Sequence, residues 1–213
     1  MHDEEKEYQE ALLFFYEVDS IYEVEDIIKQ NMYFNNRKKG IQGENEVNYA
    51  LKWLPSCYQK IKSYFNEKYQ DNCIVLANKS FIDESQEYDH IIVGPQGIFM
   101  IETKNYKDKL IIDNNGNWIR VKEDGTKEGE RNPLQQIRRH EKLLSSIVGN
   151  IEIISVICLS HPKVIIEGTE NCSRKIIKSD LLCEYIENYK GSRIYDNKEI
   201  NAIINKITQF QIK

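Results

Sequence analysis

Between residues 4 and 34 the apolar positions Leu12, Phe15, Tyr16, Ile21, Val24, Ile27 and Ile28 recur at helical spacing, uninterrupted by glycine or proline, and predict one or two amphipathic helices. A basic connector, Arg37-Lys38-Lys39-Gly40, follows and ends at Gly43. Val47, Ala50, Leu51 and Leu54 then stand at i, i+3, i+4 and i+7, predicting a further helix that stops at or before Pro55. From residue 73 the period shortens. Cys73 to Ala77, Tyr88 to Val93 and Gly97 to Thr103 are runs rich in Ile, Val and Phe separated by polar or Gly/Pro segments, so they read as strands. Gly94-Pro95-Gln96-Gly97 joins the last two as a hairpin. Short strands are expected at Lys109 to Asp113 and Asn117 to Val121.

Asn132-Pro133 opens the next helix, with Asn as N-cap and Pro at the first helical position, running to about Val148. Ile151 to Leu159 is a nearly unbroken apolar run, the pattern of a strand buried on both faces. A strand near Lys175 to Ile177 and helices over Ser179 to Tyr189 and Lys198 to Phe210 complete the tail. The order helix, three strands, helix, strand predicts an α/β protein (α+β, mixed sheet) divided as an N-terminal helical extension over 1–36, a core over 37–162 and C-terminal elements over 163–213 packing on it.

Composition changes this picture little. Hydrophobic residues make up 40% of the 213 and charged residues 30%, enough for a folded core. The longest apolar stretch, Ile153 to Leu159, is far short of the roughly 18–20 residues that span a bilayer, so no membrane segment is expected. The first ten residues, MHDEEKEYQE, are acidic where an export signal is basic and then apolar, which points to a cytoplasmic protein. Five scattered cysteines lack paired C-x-x-C spacing and read as reduced thiols, with no zinc site. A net charge of -5 argues against binding nucleic acid through a global positive field, and leaves room for a local basic cleft.

The candidate chemistry lies in the hairpin. A symmetric turn about Pro95-Gln96 pairs Val93 with Ile98, Ile91 with Met100 and Asp89 with Glu102. Opposed carboxylates have Cβ atoms about 4.5–5.5 Å apart and repel, so something should compensate, the alternative being that both acids end strands facing solvent with Lys104 in a surface ion pair. Alternation places Glu102 and Lys104 on one face together with Asp89. A divalent cation held by Asp89 and Glu102, with the Lys104 ammonium beside it, relieves the repulsion, since hard cations such as Mg²⁺ take one or two carboxylates plus water and phosphate oxygens. Such a cation activates water and neutralises a scissile phosphate, while Lys104 orients that water or stabilises developing charge.

Other residues are placed to complete such a site. Glu44 extends the Val47 and Leu51 face by one turn and aims a carboxylate at the core edge. Gln136, His140, Leu143 and Ile147 share one face of the later helix; Gln136 is a candidate for holding a phosphate or a carboxylate, and Arg138, Arg139 and His140 for cationic contacts with nucleic acid. Lys107 and Lys109 are placed to meet phosphates, which give affinity without sequence information. His90 receives no role.

The segments Gly43-Glu44, Tyr88-Asp89-His90-Ile91-Ile92-Val93-Gly94, Gly97-Ile98-Phe99-Met100-Ile101-Glu102-Thr103-Lys104-Asn105-Tyr106 and Asn132-Pro133-x-x-Gln136 together resemble the NERD (nuclease-related) domain, within the PD-(D/E)XK or restriction-endonuclease-like superfamily. The resemblance covers roughly residues 40–160. It implies a restriction-endonuclease-like α-β-β-β-α-β core, Mg²⁺ or Mn²⁺ bound by Asp89 and Glu102, a catalytic Lys104, an accessory acid at Glu44 and a helix-borne site residue at Gln136. Tyr88 stands where the superfamily's name has proline.

The expected function is therefore metal-dependent hydrolysis of phosphodiester bonds in DNA, with RNA a further candidate substrate, in DNA processing, mobile-element biology or defence. The competing expectation is an inactive nucleic-acid-binding or scaffolding module that keeps the fold. The N-terminal helices are candidates for building a homo-oligomer or larger complex.

Overall fold

The computed structural model describes residues 21–66 and 71–212, with the side chains of 21–25, 27, 30 and 83 excepted; the helix expected over Leu12, Phe15 and Tyr16 lies outside them. Residues 1–41 and 42–213 form two compact units. Ile21–Ala50 is one helix, α1, so the expected connector from Arg37 to Gly43 is helical. Two isolated glycines cost about 1 kcal/mol each against alanine, too little to end a helix whose neighbours carry no proline.

In the second unit five strands make the central sheet: β1 (Gln59–Lys60), β5 (His90–Gly94), β6 (Gly97–Lys104), β10 (Ile153–Leu159) and β12 (Lys175–Lys178), ordered β1-β5-β6-β10-β12. The β5–β6 hairpin is antiparallel; β10 runs parallel to β6 and to β12. At the hairpin tip Gly97 has φ +131°, and a Cβ there would lie 2.8 Å from the Glu152 carbonyl, so only glycine fits. The fold is a mixed α/β one, with the hairpin, the following helix and the parallel β10 in the expected order.

Strand alternation divides the sheet's apolar residues between two cores. Ile91, Val93, Ile98, Met100 and Ile157 pack on α2 (Leu134–Val148) and α4 (Asn197–Thr208). Ile92, Phe99, Ile101, Ile154 and Val156 pack on Val47 and Leu51 and on α3 (Leu182–Asn188). The N-cap of α2 falls one residue later than expected, at Pro133, and Asn132 supports it from outside, its Oδ1 accepting the Leu134 N–H at 2.9 Å.

Two smaller sheets flank this core. One, ordered β11-β7-β8-β9, consists of β11 (Ile165–Glu167), β7 (Lys109–Ile112), β8 (Trp118–Val121) and β9 (Lys127–Glu130). The other joins β13 (Gln211–Ile212), β3 (Asp71–Asn78) and β2 (Tyr64–Asn66), with β4 (Ile82–Tyr88) paired to β3. Tyr88, expected to begin the hairpin strand, instead ends β4, because β4 is held by β3 in a different sheet. Among the described residues no helix is long and apolar enough to cross a membrane. None of the five cysteines forms a disulfide.

Candidate active site

The hairpin register runs His90 with Ile101, Ile91 with Met100, Ile92 with Phe99 and Val93 with Ile98, the pairing expected from the turn. The ladder stops one pair before Asp89 and Glu102. Asp89 occupies the bend between β4 and β5, where its Oδ2 accepts the Thr103 backbone N–H at 2.6 Å. The acid is thus fixed by the backbone of the strand that carries Glu102 rather than by a ladder pair, and the Glu102 charge still acts on it.

Glu102 is 3% exposed and Lys104 lies two residues on along the same face, its Nζ donating to Glu102 Oε1 at 2.6 Å. Burial pushes the Asp89 carboxyl well above the usual carboxylate range, reinforced by the charges of Glu102 and then Glu44, and opposed by Lys104 and the Thr103 N–H. Burial works against the Lys104 ammonium, but Glu102 and Asp89 together hold it above its ordinary value, so it stays a cation. The arrangement is one buried cation among acids that repel each other, an electrostatically unfinished centre.

Glu44 belongs to this centre through the approach of α1. A Cβ at Gly43 would lie 2.6 Å from Ser160 Oγ and 2.9 Å from Asn105 Cβ, so glycine lets the helix pass against the ends of β6 and β10. Lys104 ends β6 there, paired with Leu159 of β10, and Glu44 follows Gly43 into the same region.

On the opposite face α2 supplies His140. It is 4% exposed, with Nδ1 3.7 Å from Glu102 Oε2, so the structure turns this expected nucleic-acid contact inward onto a site carboxylate. Burial lowers its pKa, partly offset by Glu102, and the imidazole is neutral. The Tyr88 hydroxyl donates to the His140 carbonyl at 2.9 Å, and the two rings lie 4.6 Å apart. Tyr88 is thus a buried clamp on α2. Gln136, one turn before His140, is half-buried; Arg138 and Arg139 are exposed.

Lys107 pairs with Glu123 at 3.2 Å and Lys109 with Glu167 at 2.7 Å, both on the β7–β8–β9 side of the molecule, where acids already neutralise them. Sequence reasoning missed the roles of Thr103 and Tyr88, and of Tyr106, whose hydroxyl is held above its ordinary pKa by burial and by Glu130 and Glu102. The E-x-K spacing gave no sign of these partners, because backbone N–H groups and helix docking carry no sequence motif.

Among the described residues, the cluster that brings three metal-ligating side-chain atoms within 4.8 Å of one another is Asp71, Cys73 and Glu87, on β3 and β4. It alternates away from buried Ile74, Leu76 and Tyr88 and so faces the other side of that sheet. At the hairpin the carboxylates are spread further, as Asp89 holds Thr103 and Glu102 holds Lys104. Their chemistry still fits a hard divalent cation: two or three carboxylates at one strand end, with Asp89 disfavoured as an anion until positive charge arrives.

Residues 39–160, more than half of the chain, match the family of the nuclease-related domain. No curated protein and no solved structure gives a match.

Proposed function

The chain belongs to the nuclease-related-domain family, and on that premise we propose that it is a divalent-metal-dependent nuclease that hydrolyses phosphodiester bonds in DNA. The observation that carries the reading is the buried constellation of Asp89, Glu102 and Lys104 at the end of β6, with Glu44 close enough to raise Asp89. A binding module has no need to hold opposed carboxylates against their own repulsion.

Asp89 and Glu102, with Glu44 as accessory, are the residues that would hold Mg²⁺ or Mn²⁺. When bound, the cation would supply positive charge for the phosphate and acidify a water near neutral pH. Lys104, kept protonated by the acids around it, donates to the negative charge that develops on the phosphate. Thr103 N–H fixes Asp89, and His140, clamped by Tyr88, lies beside Glu102 on the helix side. Gln136, on the same helix one turn nearer its start, would hold a phosphate oxygen. Arg138 and Arg139 are exposed and available to backbone phosphates.

The test is incubation of purified protein with supercoiled plasmid, linear duplex, single-stranded DNA and RNA, each with Mg²⁺, Mn²⁺ or EDTA. Cleavage of DNA should require metal and fall at least about 100-fold in Asp89→Ala and in Lys104→Ala, the scale of removing one transition-state charge contact. Binding without cleavage under every condition sinks the reading.

A further inference from the structure

The central sheet ends at β12, whose outer edge has no strand partner among the described residues. Beside that edge lies a cavity of about 630 Å³. Its walls are mainly apolar: Leu159 and Ile176 from the sheet, Ile166 from the neighbouring β11, and Leu181, Tyr185 and Tyr189 from the α3 side. Its charged lining is unbalanced, with Lys175, Lys178 and Lys190 against the single acid Glu184. Lys178 also donates to the Pro162 carbonyl at 3.1 Å, while Lys175 and Lys190 are exposed.

We propose that this groove docks an extended acidic–apolar segment of a partner protein, which adds to β12 as a sixth strand of the central sheet. An unpaired edge offers backbone N–H and C=O groups at strand spacing, and an added strand satisfies them while its alternate side chains fill the pocket. The apolar wall takes every second residue; the lysines pair with acids between them. A second copy of the chain is a poor occupant. Antiparallel pairing of β12 with itself sets Lys175 opposite Lys178 twice, and like charges directly opposite are destabilising. A nucleic-acid strand satisfies the lysines but not the row of backbone groups. The inference stands apart from the nuclease reading, because it uses none of the residues assigned to cleavage.

The experiment is fluorescence anisotropy of the full chain with a labelled peptide, Asp-Val-Glu-Ile-Asp-Val-Glu, its counterpart with lysine at every acid, and a twelve-residue oligo-dT. The acidic peptide should bind saturably and the basic one should not. Lys175→Glu and Lys190→Glu should each weaken binding at least tenfold and leave metal-dependent DNA cleavage unchanged. Of two acidic peptides N-methylated at alternate backbone nitrogens in opposite phase, one should lose binding, because only one phase faces the edge of β12. The proposal is overturned by an absence of saturable binding, by binding indifferent to the two charge reversals or to both methylation patterns, or by oligo-dT displacing the peptide. A dimer seen in light scattering that Lys175→Glu abolishes also overturns it.

Discussion

At Asp89 the molecule holds a carboxyl where burial, Glu102 and Glu44 all disfavour its charge, and one lysine and one N–H favour it. Burial and the two neighbouring acids disfavour the Asp89 charge in the apo fold, so a neutral isostere should stabilise it. Asp89→Asn should melt at a higher temperature in EDTA, by about 2–4 °C for each kcal/mol of repulsion relieved, while losing cleavage; a lower melting temperature contradicts this account of the site. His90 poses the opposite case. Burial, with Lys60 nearby, pushes its pKa down to about 3, against about 6.5 in the unfolded chain, and its Nε2 is buried without a hydrogen-bond partner among the described residues. Below pH 6.5 the unfolded chain takes up a proton that the folded chain refuses until about pH 3. Stability is therefore complete above pH 6.5 and is lost as the pH falls through that window, by up to about 5 kcal/mol. Denaturant melts in EDTA from pH 7 to 4 should show this loss, and His90→Phe should flatten it. The carboxylates and Lys104 were legible as a set from period-2 alternation. The fate of His90 was not, because nothing local in its sequence says that a histidine facing away from the site will be sealed in the second core.

Among elements, the hairpin was the most legible, because a tight turn between Gly94 and Gly97 fixes the pairing and the pairing fixes the faces. The bend at Asp89 was not legible, since it arises where β4 leaves its ladder with β3, a long-range partner. Strands of two to four residues such as β1, β2, β9 and β11 escaped for a related reason: too few residues to display a period. Helix α2 announced itself through Asn132-Pro133 and its apolar stripe, but its meeting with Glu102 depends on how helix and sheet dock. The glycines of α1 separate two such roles. Gly40 has open space where a Cβ would stand, so Gly40→Ala should stabilise the helix by up to about 1 kcal/mol. Gly43→Ala meets the Asn105 Cβ at 2.9 Å and Ser160 Oγ at 2.6 Å; Ser160 can rotate, but Asn105 Cβ is tied to the backbone. Overpacking of about 1–3 kcal/mol then offsets the helical gain, and Glu44 is pushed off the site. DNA cleavage should fall at least tenfold in Gly43→Ala and stay unchanged in Gly40→Ala; equal activity in both means that the approach of α1 does not set the site.

At the scale of the molecule, Asp89, Glu102, Lys104, Glu44, Gln136 and His140 all fall within the unit 42–213, and the family match begins at residue 39. The C-terminal elements are part of that unit: Ile200, Ile203 and Ile207 of α4 complete the core on which α2 rests, and Leu182 and Ile186 of α3 complete the other. Removing residues 163–213 would strip both faces of the sheet, whereas none of the described residues 21–36 belongs to either core. In the first unit, Met32, Tyr33 and Phe34 stand 59%, 56% and 66% exposed in succession around α1, more apolar surface than a solvated helix needs. A shortened chain starting at Arg37 keeps Gly43 and Glu44 and should melt cooperatively, cleave DNA with the metal dependence of the full chain, and scatter light as a monomer. The full chain should scatter as a larger particle, with Met32→Ser, Tyr33→Ser and Phe34→Ser together returning it to monomer mass. Loss of cooperative melting or of cleavage in the shortened chain would mean that the first unit supports the fold of the second; equal masses for both chains would mean that the exposed face of α1 does not drive self-association.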